Sequence, residues 1–222
     1  ATQLNTDINK EEIEGRRDFR DVLTFTIDPK DAKDFDDAIS FKTLSKDLFE
    51  VGVHIADVSH YVQPGSVLDK EAYQRGTSIY LVDRVVPMLP ERLSNQICSL
   101  RPNEEKLTFS AVFEITSAGV VKSEWYGKTV ILSDARFAYE EAQHMISSQS
   151  KTIPPKISLT STESTVNDDF FQAIQYLQTI ASIRRKNRLK NGAINFNKHE
   201  VHFDLDDQNN PKFFNIFTII FD

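Results

Sequence analysis

The stretch TIDPKDAKDFDDA, at positions 26–38, decides the fold and the chemistry of this chain. The run VLTFTI at 22–27 leads into it, and the apolar-rich residues 38–41 follow it, so a strand is predicted on either side. Phe35 stands among the acids, which indicates that one side of the segment is buried. We therefore expect an acidic segment that is anchored in the core and carries five aspartates within ten positions: Asp28, Asp31, Asp34, Asp36 and Asp37.

Carboxylates packed this closely repel one another, so some must be protonated, paired with a base or bound to a cation. An all-oxygen set of ligands suits a hard cation such as Mg²⁺, with Mn²⁺ possible. A calcium loop of the EF-hand type is a poorer match, because Lys33 and Ile39 stand where that loop needs glycine and glutamate. From the residues alone, a magnesium site that acts on phosphate and a structural acidic loop both remain open.

The composition limits the classes of protein that need consideration. The chain has 222 residues, with 33 acidic and 26 basic side chains and a net charge of −7, which argues against a protein that simply coats nucleic acid. No apolar run has membrane-spanning length, so no membrane contact is predicted. The single cysteine, Cys98, excludes a disulfide framework and a cysteine-based zinc site, and it favours a reducing, cytoplasmic location.

Hydrophobic periodicity predicts an α+β fold of mixed, mostly antiparallel strands with flanking helices. Residues 1–21 are predicted to be a linker that enters a domain spanning 22–222. Within that domain, the Ser- and Thr-rich residues 147–165 predict an exposed loop, and 213–222 form an unusually apolar tail. The predicted strands are 22–27, 38–41, 49–55, 78–82, 107–116, 120–132, 193–196, 200–205 and 213–221, and the predicted helices are 68–76, 137–146 and one that begins after Asn167 and ends at Asn191 and Gly192.

The string TIDPKDAKDFDDAIS at 26–40 is followed by VGVHIADVSHYVQPGSVLDKEAYQRGTSIYLVDRVVPMLPERLSNQICSL at 51–100. Together they resemble the catalytic (RNB) domain of the ribonuclease II and ribonuclease R family, most closely its bacterial ribonuclease R branch, with the eukaryotic exosome-associated nucleases, which share much of the pattern, as the alternative. The resemblance runs from about residue 16 to about residue 200. It implies a processive 3′→5′ exoribonuclease that hydrolyses single-stranded RNA to nucleoside 5′-monophosphates, with no partner protein indicated.

The resemblance also assigns roles to the acidic residues. It implies that the four aspartates that match the motif are catalytic and hold Mg²⁺ at the scissile phosphate, and that Asp36 is the one whose loss abolishes cleavage while RNA binding is kept. Asp31 lies outside the pattern and is expected to be solvated. The four are Asp28, Asp34, Asp36 and Asp37.

Three aromatic residues match positions that contact RNA in the family. Tyr80 and Tyr139 are expected to contact the nucleotides, since any base can stack on an aromatic ring. Phe196 is a third candidate, although the match around it is loose and a core position is favoured. A core role is the alternative for each of the three.

Several other charged residues have simpler interpretations. His54 and His60, on either side of Asp57, are expected to be structural rather than metal ligands, and Cys98 is expected to be a buried thiol. Arg16, Arg17 and Arg20 are candidates for pairing with nearby acids. The five bases within 184–190 either guide phosphates or complement the end of a helix.

The sequence departs from the family pattern in extent. The resemblance implies a domain that continues into a helical second half and is accompanied by cold-shock-type and S1 domains, none of which is recognisable here. We therefore expect a fragment that is inactive when isolated. Two other functions stay open: a non-catalytic RNA-binding or scaffold fragment, and a calcium-binding structural loop.

Overall fold

The computed structural model describes residues 8–82, 84–194, 197–206, 208 and 211–220. The chain divides into two compact units. The first comprises the described residues of Ala1–Val62 together with Glu91–Ala181, and the second comprises those of Gln63–Pro90 and Ser182–Asp222. The candidate aspartates all belong to the first unit.

The elements follow one another along the chain as strands with interspersed helices. The strands are β1 (Arg17–Asp18), β2 (Thr24–Asp28), β3 (Asp37–Ser45), β4 (Leu48–Ala56), β5 (Ile79–Tyr80), β6 (Val85–Val86), β7 (Glu105–Thr116), β8 (Val121–Leu132), β9 (Ala135–Ala138), β10 (Thr152–Ile153), β11 (Ser164–Thr165), β12 (Asn197–Leu205) and β13 (Pro211–Ile220). The helices are α1 (Lys10–Ile13), α2 (Val58–Tyr61), α3 (Val67–Arg75), a π-helical segment (Leu93–Ile97), α4 (Tyr139–Ser148) and α5 (Asp168–Lys190).

A seven-stranded sheet forms the first unit, in the order β1-β8-β7-β4-β3-β2-β9. The inner neighbours pair antiparallel, whereas β1 and β9 join the two edges in parallel with β8 and β2. The predicted α+β class with mostly antiparallel strands is therefore confirmed. The strands predicted at 22–27, 38–41, 49–55, 107–116 and 120–132 correspond to β2, β3, β4, β7 and β8.

An aromatic core packs α4 and α5 against the sheet. Phe25 on β2 makes edge-to-face contacts with Phe137 and Phe170, at ring-centroid distances of 5.8 Å each. Phe41 and Phe49, on neighbouring strands, stack at 5.3 Å within the same cluster. Burial of these rings supplies the largest hydrophobic contribution per residue, and it positions β2 and β9 side by side.

The N-terminal segment is part of the sheet, which corrects the predicted linker at 1–21. Arg17–Asp18 form β1, and Phe19 is only 1% exposed. The physical reason is Arg16, whose guanidinium is buried and pairs with Asp57 at 2.7 Å while donating to the carbonyl oxygens of Thr108 and Thr129. Although burial opposes ionisation, hydrogen bonds from Arg16 and Ser59 hold the pKa of Asp57 below its ordinary value.

The predicted exposed loop at 147–165 also needs correction. It contains the ribbon of β10 and β11, and Ile153 is buried in the aromatic core. Ser158 is buried as well, and the amide of Leu159 donates to the buried Glu141 carboxylate at 2.9 Å. A few buried residues within a polar run tie the segment to the core, which a composition argument overlooks.

Two helix boundaries illustrate how neighbours decide the local structure. The helix predicted at 137–146 begins at Tyr139, because Phe137 continues β9 and pairs with Ile27 of β2. Helix α5 begins directly after Asn167 and ends before Gly192, as the capping pattern predicts.

The second unit contains two hairpins and one capped helix. Helix α3 is capped by the Ser66 side chain and ends at Gly76 in the left-handed conformation. Strands β5 and β6 form one hairpin, and β12 and β13 form the other, which takes in most of the predicted apolar tail. Positions 195–196 of the predicted strand 193–196 lie outside the described residues. No helix in the described ranges is long and apolar enough to cross a membrane.

His54 lies buried in the sheet between two serines. Its Nδ1 is 2.6 Å from Ser110 Oγ and its Nε2 is 2.8 Å from Ser40 Oγ, and the ring of Phe19 packs on it at 5.0 Å. Burial lowers the pKa of His54 from 6.5 to about 4. The predicted structural role for His54 agrees with this position.

This burial makes stability depend on pH. The unfolded chain binds a proton at His54 below pH 6.5 and the folded chain does so only near pH 4, so the free energy of unfolding should fall by about 3 kcal/mol between these values. We expect His54→Gln to lose this part of the slope in urea titrations from pH 7 to pH 4, and His144→Gln to keep it. Equal slopes for the wild type and His54→Gln would contradict the assignment.

Candidate active site

The four aspartates come from the connection between two adjacent strands. Asp28 is the last residue of β2, and Asp37 is the first residue of β3. The two strands pair through Thr24 with Ser40 and Phe25 with Ile39, so their aspartate ends lie at the same end of the sheet. Asp34 and Asp36 lie in the connection itself.

The segment between the strands has no regular secondary structure and is held by residues that follow the π-helical segment. The amide of Phe35 donates to Ser99 Oγ at 3.0 Å, and that hydroxyl donates to the carbonyl of Lys33 at 3.2 Å. The amide of Leu100 donates to the carbonyl of Phe35 at 2.8 Å. Phe35 is 5% exposed, as predicted, and it fixes the acidic segment to the core.

A second set of contacts comes from β9, which lies beside β2. The guanidinium of Arg136 donates from Nη2 to the carbonyl oxygens of Pro29 and Lys30, at 2.9 Å each. Its central carbon lies 4.6 Å from the centroid of the Phe35 ring. The acidic segment is thus held on one side by Ser99 and Leu100 and on the other by Arg136.

The electrostatics of the site are those of crowded, partly desolvated carboxylates. Burial raises the pKa of Asp28, which is 8% exposed, and the charges of Asp37 and Asp36 raise it further, whereas the side chain of Thr26 and the charge of Arg136 lower it. Burial and the charges of Asp34 and Asp37 likewise raise the pKa of Asp36. Asp28 Oδ2 is buried without a hydrogen-bond partner. The site therefore carries more negative charge than its protein surroundings compensate.

This arrangement fits a hard cation in its donor chemistry. The ligands available are carboxylate oxygens, one of them lacks a partner, and a cation would offset the repulsion that raises the two pKa values. Among the residues that the structure describes, however, no three His, Cys, Asp or Glu side chains are grouped so that they could hold one metal ion. Binding of Mg²⁺ or Mn²⁺ by Asp28, Asp34, Asp36 and Asp37 thus stays a prediction.

Tyr139 is the predicted RNA-contacting residue that the fold brings to the aspartates. It follows Ala138, which pairs with Asp28 across β9 and β2, and it is 57% exposed. Partial burial and the charges of Asp28 and Asp37 raise the pKa of the Tyr139 phenol. The ring is therefore neutral, accessible and next to the acidic cluster.

The other two predicted RNA contacts have different outcomes. Tyr80 lies on β5 in the second unit and is 72% exposed, so it is not a core aromatic. Phe196 lies outside the described residues.

Residues for which the sequence predicts no catalytic role have structural roles. His60 pairs with Glu12 at 2.8 Å, and Asp57 pairs with Arg16. Cys98 is buried, and burial raises the pKa of its thiol to about 12. Asp31 is exposed, in agreement with its predicted solvation.

Sequence reasoning missed two residues that hold the acidic segment, Ser99 and Arg136. Each contacts the segment from a position at least 64 residues further along the chain, so no local spacing pattern connects them to the aspartates. Only the pairing of β9 with β2 and the course of the chain after the π-helical segment bring them there.

Comparison with known families gives one match that covers most of the chain. The family model described as RNB domain matches residues 16–217.

Relatives with names and solved structures agree with this match. The chain is 44% identical to DIS3-like exonuclease 2 of Xenopus tropicalis over 200 residues, which is 90% of this chain and 24% of that protein. It is 42% identical to ribonuclease R 1 of Lactococcus lactis over 95% of this chain and 24% of the relative. The structure of Mycoplasma genitalium RNase R in complex with ribose-methylated single-stranded RNA matches with a TM-score of 0.81 at 30% identity, covering 95% of this chain and 31% of that one.

The uncompensated charge at the site predicts that Asp28 destabilises the fold when no cation is present. A carboxyl whose pKa is raised on folding is penalised at high pH, and the penalty disappears as the pH falls and the group is protonated. We expect Asp28→Asn to have a higher urea midpoint than the wild type at pH 7 with a chelator present, and the difference to vanish near pH 3.

Asp31→Asn, which removes an exposed acid from the same segment, is the matched control and should change the midpoint little. A lower midpoint for Asp28→Asn at pH 7 would show that the ionised carboxylate is stabilised by its surroundings.

Proposed function

The chain belongs to the RNB domain family, and on that basis we propose that it is the aspartate-bearing part of a 3′→5′ exoribonuclease. The substrate is single-stranded RNA, the products are nucleoside 5′-monophosphates, and the reaction depends on Mg²⁺, with Mn²⁺ as an alternative. The chain spans about a quarter to a third of the length of the relatives and the solved structure that it matches. The activity of a longer polypeptide is therefore what is proposed.

The observation that carries the proposal is the anchored group of carboxylates at the end of β2 and β3. Asp28 and Asp36 are partly desolvated, their pKa values are raised by burial and by neighbouring charges, and one oxygen of Asp28 has no partner. A purely structural acidic loop would place its charges in solvent, where repulsion is screened. Here Asp28 is buried, and the charges of Asp36 and Asp37 raise its pKa on a segment that Ser99 and Arg136 hold in place.

Each residue has a definite task in this proposal. Asp28, Asp34, Asp36 and Asp37 would hold the divalent cation. When bound, that cation polarises the phosphoryl oxygens and lowers the pKa of a coordinated water. Asp36 is the last residue before β3, and its backbone carbonyl accepts from the amide of Ala56 at 3.0 Å, so its position is fixed relative to β4.

Tyr139 would supply a stacking surface for a nucleotide base next to the carboxylates. Its exposed ring and its position directly after Ala138 support this role. Stacking is indifferent to base identity, which suits an enzyme that degrades RNA of any sequence. Tyr80 on the second unit is the further exposed tyrosine proposed to contact RNA.

The decisive experiment compares Asp36→Asn with the wild type in the natural full-length polypeptide. With Mg²⁺ and a 5′-labelled single-stranded oligoribonucleotide, we expect the variant to lose at least about 100-fold in release of 5′-monophosphates, a change of about 2.7 kcal/mol. Its affinity for RNA, measured by fluorescence anisotropy, should stay close to that of the wild type. Asp31→Asn is the matched control and should remain active.

Equal activity of the wild type and Asp36→Asn would refute the role of Asp36. RNA binding by the wild type without any release of mononucleotides would instead favour the non-catalytic RNA-binding alternative. Calcium affinity with neither RNA binding nor cleavage would favour the structural calcium loop.

A second prediction concerns Tyr139. Replacing it with Ala should weaken binding of single-stranded RNA by about 1–3 kcal/mol, because a stacked base loses its aromatic partner. Tyr139→Phe should retain most of the affinity, since stacking needs the ring and not the hydroxyl. Anisotropy titrations in the Asp36→Asn background avoid degradation of the ligand.

Tyr73 on α3, which is also a highly exposed tyrosine, provides the control. Tyr73→Ala should bind RNA as the unsubstituted protein does. Unchanged affinity in Tyr139→Ala would remove Tyr139 from the RNA-binding surface.

A further inference from the structure

Arg136 reaches the acidic segment from a rigid part of the fold. It lies on β9, which pairs in parallel with β2 over four positions, and its partner in the register is Thr26. Asp28 is two residues further along β2, opposite Ala138. The backbone of Arg136 is therefore fixed by the sheet two positions before the first aspartate.

The side chain of Arg136 contacts both ends of the acidic segment at once. Nη2 donates to the carbonyl oxygens of Pro29 and Lys30, the two residues that follow Asp28. The same guanidinium lies over the ring of Phe35, which stands between Asp34 and Asp36. A planar, permanently charged group with donors in its plane and a face for stacking is required for this combination, and only arginine provides it.

Buried polar atoms without partners gather around the same strand pair. Arg136 Nε, Thr26 Oγ1 and Asp28 Oδ2 are three of the four buried side-chain atoms among the described residues that lack a hydrogen bond of good geometry, although the Thr26 side chain is near enough to Asp28 to favour its ionised form. They are an N–H donor of Arg136, the hydroxyl of Thr26 and a carboxylate oxygen of Asp28, all on the paired strands β9 and β2. A buried polar atom without a hydrogen bond lowers the stability of the fold. The surroundings of Asp28 are therefore not those that would give the highest stability.

We infer that Arg136 is a positioning residue, which holds residues 29–36 against β9 and so sets where the aspartates at 34–37 stand relative to Asp28. Its role as a positioning residue for a cation rests on the proposed function, whereas the ordering of the segment does not. Ser99 and Leu100 hold only Lys33 and Phe35. Loss of Arg136 should therefore free the half of the segment next to Asp28 more than the half next to Asp37.

The test compares three variants of the whole chain. Arg136→Met removes the charge, the paired donors and the stacking face, and Arg136→Lys keeps only the charge. Lys122→Met removes a positive charge from an exposed position on β8 and is the matched control. The first measurement is amide hydrogen exchange by NMR, without metal or RNA.

In Arg136→Met we expect faster exchange at the amides of residues 30–33 than in the wild type, a smaller change at 34–37, and no change on β4 or β7. The exchange rates of Arg136→Lys should be intermediate between those of the wild type and Arg136→Met, and those of Lys122→Met should match the wild type. Should Arg136→Met fail to fold, the same comparison is made with Arg136→Lys. Wild-type exchange throughout residues 30–37 in the folded variant would overturn the inference.

Two further measurements connect the ordering of the segment to function. Affinity for Mn²⁺ alone should fall by about 10–100-fold in Arg136→Met, the size typical for loss of a residue that orients metal ligands. In the full-length polypeptide, kcat for RNA hydrolysis per folded molecule, with the folded fraction measured by circular dichroism, should fall while KM changes little. Wild-type Mn²⁺ affinity and wild-type kcat in this variant would contradict the positioning role.

Failure of the proposed function gives a different pattern from failure of this inference. If the wild type neither binds Mn²⁺ nor degrades RNA while Arg136→Met still shows faster exchange at 30–33, the segment is ordered by Arg136 and the assigned chemistry is wrong. If the wild type degrades RNA and the exchange rates of Arg136→Met match those of the wild type, the proposed function stands and the inference about Arg136 is wrong.

Discussion

Carboxylates of like charge repel, and Asp28, Asp36 and Asp37 are nevertheless held at one end of the sheet. Burial and mutual repulsion together raise the pKa values of Asp28 and Asp36, so their proximity costs free energy that other contacts must offset. Most of the compensation comes through the backbone, whose carbonyl and amide groups bond to Ser99, Leu100 and Arg136, and the charge of Arg136 offsets part of the repulsion at Asp28. The result is a site with surplus negative charge on a segment held in a fixed position.

The rest of the first unit holds the aspartate-bearing ends of β2 and β3 in place. Helices α4 and α5 press β2 and β9 together through Phe25, Phe137 and Phe170, which places Arg136 beside the segment and Tyr139 beside Asp28. At the opposite edge the N-terminal segment joins β8, where the buried pair of Arg16 and Asp57 anchors it. A buried ion pair of this kind contributes little net stability when intact but is strongly destabilising when one partner is lost, so it specifies where the N-terminal segment docks.

The features of the fold and the site that depend on nearby residues could be predicted from the sequence, whereas those that depend on distant contacts could not. The acidic motif, the burial of Phe35 and the central strands follow from residues close to one another in the sequence, and the resemblance to the RNB domain identified the family. The linker at 1–21 and the loop at 147–165 were mispredicted for the same reason. In each, a few residues tie a polar stretch to the core, Arg16 and Phe19 in the first and Ile153 and Ser158 in the second, and composition averages over such residues.

By itself the sequence determined the family, the strand–acid–strand motif and the identity of the aspartates, because periodicity and spacing act over a few residues. Only the tertiary structure decided which groups surround those aspartates. Ser99 and Arg136 reach them through a strand pairing and a chain path that close loops of more than sixty residues. The free energy of such contacts depends on the whole core being formed, and no short pattern in the sequence encodes it.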